Sequence, residues 1–346
     1  MTSTPWRGFA SDNYAGIHPE VLEAIAAANA GHQVAYGEDD VTAELGAVVK
    51  RHFGPAAEVF PVFNGTGANV VALQAMTRRW EAVICAGSAH VHVDEGGAPE
   101  KGGGLKLWTV PTDDGKLTPA LIDTQAWGFG DVHRAQPGVV TITQSTELGT
   151  LYTLDEIVAV AEHAHSLGMT VHLDGARIAN AAAALGVGFR EFTTDAGVDV
   201  VSFGGTKNGA MLGEAVIVLN PDAAPGVDYL RKSTMQLASK MRFVSAQLLA
   251  LLSGDLWLRN AQHSNAMAAR LESLVREIDG VTVVRPVQAS AVFALLPPDV
   301  TERLQTRFRF YLWNQATGEV RWMCSWDTTP EDVDSFAAAI AEEMAR

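Results

Sequence analysis

The sequence predicts an α/β protein: a large domain on a mostly parallel seven-stranded sheet flanked by helices, then a smaller C-terminal α+β domain. Three observations carry this expectation. Seven short segments recur with nearly continuous hydrophobicity, helical patterns with their own start and stop signals fall among them, and the alternation weakens after Leu219. The segments are Glu58–Phe63, Ala82–Ala86, Lys106–Val110, Val139–Thr143, Thr170–Leu173, Asp199–Phe203 and Ala215–Leu219. Strands that are apolar at almost every position are covered on both faces, the environment of a parallel sheet.

Of the helices, the clearest starts at the capping box Thr153-Leu-Asp-Glu156 and runs to about Leu167, where Gly168 stops it. Thr329-Pro330 opens the last helix in the same manner, with proline at the first helical position. Past Leu219 come a helix-rich stretch, Phe243 to Arg276, and strands near Val281–Arg285, Ala291–Leu296 and Val320–Cys324. This change of texture predicts a large domain over 16–240 and a small one over 241–346, with the N-terminal segment 1–15 packing against the small domain.

A chain of 346 residues with 47% hydrophobic and 19% charged residues has ordinary globular composition. A formal charge of −15 argues against a nucleic-acid partner, which needs a basic face. Cys85 and Cys324 lie in apolar runs and read as buried free thiols. The first residues carry no apolar export signal, and no apolar run approaches membrane-spanning length, so a cytoplasmic protein is expected.

The chemistry concentrates between Thr170 and Gly209. His-Leu-Asp174-Gly-Ala-Arg177 ends one apolar strand, and Gly-Gly-Thr-Lys207-Asn-Gly ends the next. Polar groups there stand at the carboxyl edge of the sheet, where open α/β folds bind ligands. A lysine amine kept neutral by burial forms Schiff bases. Acid, arginine and lysine in this arrangement fit pyridoxal phosphate, with an acid for the ring nitrogen, a donor near the ring hydroxyl and an amine for the aldehyde. Phe63-Asn-Gly65-Thr66-Gly67-Ala-Asn69 is a glycine-rich strand-to-helix turn whose N–H groups suit a phosphate, although such turns are more often structural. Its spacing matches no nucleotide-binding loop. His90 can stack on a cofactor ring through its flat imidazole, and His92 follows two residues on. The His-x-His pair has no convincing third ligand, and no metal is expected. His133 precedes a strand, and Arg321 interrupts an apolar one, where a carboxylate would offset its burial.

These segments, with F-A-S-D-N-Y-A-G, A-Y-G-E-D, V-T-I-T-Q-S-T-E-L-G, Q-L-A-S-K-M-R-F and W-M-C-S-W-D-T, resemble the low-specificity L-threonine aldolases, phenylserine-cleaving members included, over nearly the full length. The resemblance implies a pyridoxal-phosphate enzyme of fold type I that splits β-hydroxy-α-amino acids into glycine and an aldehyde. It implies that Lys207 holds the cofactor aldehyde, Asp174 pairs with the ring nitrogen, Arg177 sits near the ring hydroxyl and His90 stacks on the ring. Gly65, Thr66 and Asn69 would hold the phosphate, Ser11 and Arg321 the substrate carboxylate, and His133 would lie by the β-hydroxyl. Tyr36 and Arg231 would reach a neighbouring subunit's site in a homo-oligomer, a dimer of dimers. His90, His133 and an ordered water stand as the base, and β-elimination or transamination on the same cofactor is the rival chemistry.

Overall fold

The computed structural model describes residues 7–346, so the first six positions of the expected N-terminal segment lie outside it. Seven strands form the large sheet: β1 (Glu58–Val62), β2 (Glu81–Ala86), β3 (Lys106–Val110), β4 (Gln136–Thr143), β5 (Thr170–Gly175), β6 (Val200–Gly204) and β7 (Glu214–Val218). Their order is β1-β7-β6-β5-β4-β2-β3. All pairs from β6 to β3 are parallel, while β7 runs antiparallel between β6 and β1. A second, wholly antiparallel sheet holds β8 (Thr282–Val283), β9 (Ala291–Leu295), β10 (Tyr311–Asn314) and β11 (Glu319–Met323), in the order β10-β11-β9-β8. The expected α/β architecture is present. No helix among the described residues is long and apolar enough to cross a membrane.

The structure refines the expected elements in three places. Asp174 lies within β5 rather than after it, because the ladder continues through Thr143↔Asp174 and Asp174↔Ser202. The strand expected at Val281–Arg285 shrinks to two residues: Arg285 turns aside to pair with Glu319, and Pro286 follows it. β10 carries no clear apolar alternation and the helix Pro298–Gln305 buries only the short stripe Val300, Thr301 and Leu304; neither was anticipated.

Each face of the large sheet has its own core, one including Ile84, Ile142, Leu173 and Phe203, the other Val62, Val83, Val139 and Val216. Burial on both sides explains the unbroken apolar runs. The small sheet has a separate core, in which Phe9 packs with Trp322 and Phe336. Phe9 is held there by its own N–H to Arg309 O and by Met323 N–H to Phe9 O. The long helix Leu256–Val275 is shared, since Leu256, Trp257 and Ala261 belong to the large core, whereas Ala268, Leu271 and Val275 belong to the small one.

Candidate active site

The parallel strands bring the carboxyl ends of β2, β4, β5 and β6 to one edge, and the small sheet faces that edge. Between them lies a cavity of about 640 Å³. Ser11, His90, Arg177, Lys207 and Arg321, expected from sequence, all line it, together with Glu147.

Asp174 is 4% exposed and braced on both oxygens: Oδ1 accepts the Ala176 N–H at 3.0 Å and Oδ2 accepts Asn69 Nδ2 at 2.9 Å, which leaves lone pairs on each for a further donor. Two residues back on the same face, His172 bridges three strands, meeting Thr141 Oγ1 at 2.8 Å and Ser202 Oγ at 2.9 Å. Burial lowers the His172 pKa to about 4, so the ring is a neutral strut beneath Asp174.

Lys207 sits in the 3₁₀ turn Thr206–Asn208. Glu214, first residue of β7, holds this turn by accepting the Gly205 N–H at 3.0 Å and the Thr206 N–H at 3.4 Å. From the other side, Asn208 Nδ2 donates to Trp257 O and Asn260 Nδ2 donates to Asn208 O.

Gly65 and Thr66 open the helix Gly65–Met76, whose cap is Asn64, its Oδ1 accepting the Gly67 N–H at 2.7 Å. That helix end presents backbone donors suited to an anion. Gln236 lies against it: its Oε1 accepts the Phe63 N–H, and its amide end packs so closely over Gly67 that a Cβ there would displace it. The side chain of Asn69, expected to contact the phosphate, is turned to carboxylates here. Its Nδ2 is bound by two carboxylates, Asp174 and Glu95, so Asn69 braces the aspartate.

His90 begins a helical turn, His90–Val93, shortly after β2 ends. Its Nδ1 lies 3.0 Å from Glu95 Oε1, and its backbone N–H donates to Glu147 Oε1 at 2.8 Å. The hydrogen bond to Glu95 raises the His90 pKa against the opposing effect of burial, with Asp174 adding to the rise. Glu147 also accepts from Thr143 Oγ1, while its Oε2 is buried without a partner. Burial, with the Asp174 charge nearby, pushes Glu147 up to about 7. A carboxyl with a raised folded pKa stabilises the native state fully below its unfolded value and loses that contribution as pH rises through the folded one. Glu147→Gln should therefore flatten the fall in melting temperature between about pH 5 and pH 8, an effect on the order of 3 kcal/mol. An unchanged pH profile would rule this out.

Arg177 makes a two-pronged contact with Asp12, Nε–Oδ2 at 2.7 Å and Nη2–Oδ1 at 3.0 Å. Asp12 is 3% exposed. Burial alone would raise its pKa, but Arg177, by charge and hydrogen bond, outweighs this and holds it below the usual value. The pair's contribution is present above the ordinary aspartate range and is lost as pH falls through the depressed pKa. Asp12→Asn strands a buried guanidinium and is expected to cost about 3–5 kcal/mol in urea unfolding. A loss below about 1 kcal/mol would show that solvent reaches Arg177.

Arg321 has no carboxylate partner among the described residues: Nη2 donates to Ala10 O at 3.2 Å and Nε is buried unpaired. Burial, with Arg177 nearby, lowers its pKa to about 10, so it remains a cation facing the cavity.

Three expected residues stand elsewhere in this chain. His133 is exposed, three residues before β4 begins, hence at the opposite edge of the sheet, the strand itself spanning about 23 Å from Gln136 to Thr143. A parallel strand enters the sheet from the far edge, so the residues just before β4 lie away from this chain's own cavity. Tyr36 is 49% exposed with φ 62°, outside the cavity. Arg231 is buried, reaching Pro61 O and Asp228. Cys85 and Cys324 are buried thiols, as expected, each pushed up to about 12 by burial.

Residues 8–297 match the family model of the beta-eliminating lyases. The chain is 47% identical to the low specificity L-threonine aldolase of Pseudomonas aeruginosa over 334 residues, 96% of each chain. It superposes on the threonine aldolase of Leishmania major with a TM-score of 0.92 at 29% identity, covering 98% of this chain and 100% of that one. Oryza sativa TDC, solved with PLP and tryptamine, shares the fold at 18% identity, with a TM-score of 0.78 over 98% of this chain and 83% of that one. The chain belongs to the low-specificity L-threonine aldolases, within the beta-eliminating lyase family.

Proposed function

We infer that this protein cleaves the Cα–Cβ bond of L-β-hydroxy-α-amino acids, L-threonine, L-allo-threonine and phenylserine-type substrates, to glycine and an aldehyde, and runs the reverse addition. The near full-length identity to an L-threonine aldolase carries the reading. The donor set supports pyridoxal phosphate as cofactor: a braced, buried carboxylate and a lysine on adjacent strand ends, beside an open helix N-terminus. Lys207 would hold its aldehyde, Asp174 its ring nitrogen and the Gly65 and Thr66 N–H groups its phosphate, with Arg177 near the ring hydroxyl and His90 against the ring. When bound, the cofactor supplies an aldehyde for the substrate amine and a ring that accepts the electron pair of the broken bond.

The protein's own groups then orient and protonate. Arg321 attracts the substrate carboxylate, and Ser11 offers a hydroxyl beside it, so two fixed points set which bond is presented for cleavage. His90, its proton favoured by Glu95, is suited to donate. The proton of the β-hydroxyl then passes to ordered water, or to His133 delivered by a second copy. Exposed Tyr36, Tyr229 and Met235 support such a homo-oligomer, and Tyr36 and Met235 both hold left-handed backbone that favours neither residue type.

Purified protein with added pyridoxal phosphate should release glycine and aldehyde in equal amounts from L-threonine or L-phenylserine. The beta-eliminating family model motivates the alternative, elimination to a keto acid. Keto acid without aldehyde would replace the aldolase reading.

A further inference from the structure

Arg321 is held by stacking as well as by its hydrogen bond to Ala10 O. Its guanidinium carbon lies 4.4 Å from the Trp313 ring centre and 5.8 Å from that of Tyr311. Tyr311 is its direct cross-strand neighbour. Trp313 reaches it by an irregularity: the β10–β11 register runs Tyr311↔Arg321 and Leu312↔Val320, then jumps to Asn314↔Glu319, leaving Trp313 as the extra residue. A bulge of this kind bends the strand and re-aims one side chain. Here it aims the indole back over the cation. The strand is pinned beyond the bulge by Asn314, whose Oδ1 accepts the Ala316 and Thr317 N–H groups.

The indole is itself immobilised. It stands edge-on to Phe293, centroids 5.7 Å apart at 78°. Phe293 is 1% exposed, and its outer flank carries Arg285, 4.7 Å away and paired with Glu319. Gly149, at φ +77°, closes the remaining side, where a Cβ would meet Phe293 Cε2 at 3.0 Å. Cation, indole, phenyl and cation thus alternate across the small sheet and end at the cavity. A guanidinium flat against an aromatic face keeps its N–H edges free, the geometry a carboxylate needs.

We propose that Trp313, presented by the β10 bulge, is a positioning residue that fixes Arg321 in the orientation that receives the substrate carboxylate. The assignment rests on the aldolase reading only in taking the ligand to be an amino acid. Half-buried on the wall of the cavity beside Arg321, Trp313 acts through that arginine on binding and not on bond cleavage.

The test uses holoenzyme and two readouts. Trp313→Leu is expected to raise KM for L-threonine or L-phenylserine about five- to tenfold while kcat changes less than twofold, with Trp313→Phe recovering part of the loss. Independently of turnover, cofactor absorbance titrated with glycine should show the same weakening, whereas titration with methylamine, which lacks the carboxylate, should not. In an Arg321→Ala background the Trp313→Leu change should add nothing further. Equal weakening for glycine and methylamine, or full additivity with Arg321→Ala, would overturn the proposal. If Trp313→Leu lowers the melting temperature sharply, the glycine and methylamine comparison is made on Trp313→Phe and Trp313→Tyr instead: weakening for glycine alone supports the proposal, and equal weakening overturns it. Because glycine binding is read without turnover, failure of the aldolase reading leaves this result separately legible.

Discussion

Lys207→Ala is expected to lower aldehyde release by about 10⁴-fold or more, since it removes the one lysine among the described residues that lines the cavity, the group proposed to join the cofactor covalently. The fold should survive. Glu214 holds the turn through the backbone N–H groups of Gly205 and Thr206, and Asn208 is tied to the helix above, so the Lys207 side chain carries none of these bonds. Borohydride treatment of the wild-type holoenzyme should fix the cofactor to the peptide containing Lys207, and the variant should take no label. Activity within tenfold of wild type, or a label at another lysine, would remove the basis for every role assigned around this amine.

Asp174→Asn should have the second largest effect, a fall in kcat of about 10³-fold, comparable to losing a preorganised charge at a developing charge elsewhere. The new amide fits the space, but it sets a donor against Asn69 Nδ2, which now gives one hydrogen to Asp174 Oδ2 and one to Glu95 Oε1. A carboxylate keeps a ring nitrogen protonated, whereas a neutral amide does not. The loss should therefore appear in kcat and in the absorbance of bound cofactor, beside a stability loss of about 1–3 kcal/mol because either orientation of the amide turns its NH2 toward a buried donor. A kcat within threefold of wild type would mean that the carboxylate does not govern the ring.

The large sheet was legible because its strands are buried on both faces, which writes an unbroken apolar run into each. The small sheet was less so: β10, edge-exposed and interrupted by a bulge, has no period to read. In the site, Asp174, Lys207 and Arg321 stood out because each breaks an apolar strand or its end, where a charge needs a reason. Their supports gave no such signal. Glu95 meets Asn69 across 26 residues and Asp12 meets Arg177 across 165, pairings only the fold can make. His172 lay within a segment already singled out, and counting back two along β5 from Asp174 would have put it on the same face. Glu147 lay within the segment V-T-I-T-Q-S-T-E-L-G without anything to set it apart there, and Trp313 had no local mark at all.

The helix Leu256–Val275 is a strut between the two walls of the cleft. Near its start it is bolted to the turn bearing the amine through Asn260 and the Trp257 carbonyl, and its far half is seated beneath the sheet that bears Arg321. The gap between amine and guanidinium is therefore set by the length and straightness of one rod, and the reach from an amino acid's nitrogen to its carboxylate is gauged by packing remote from both.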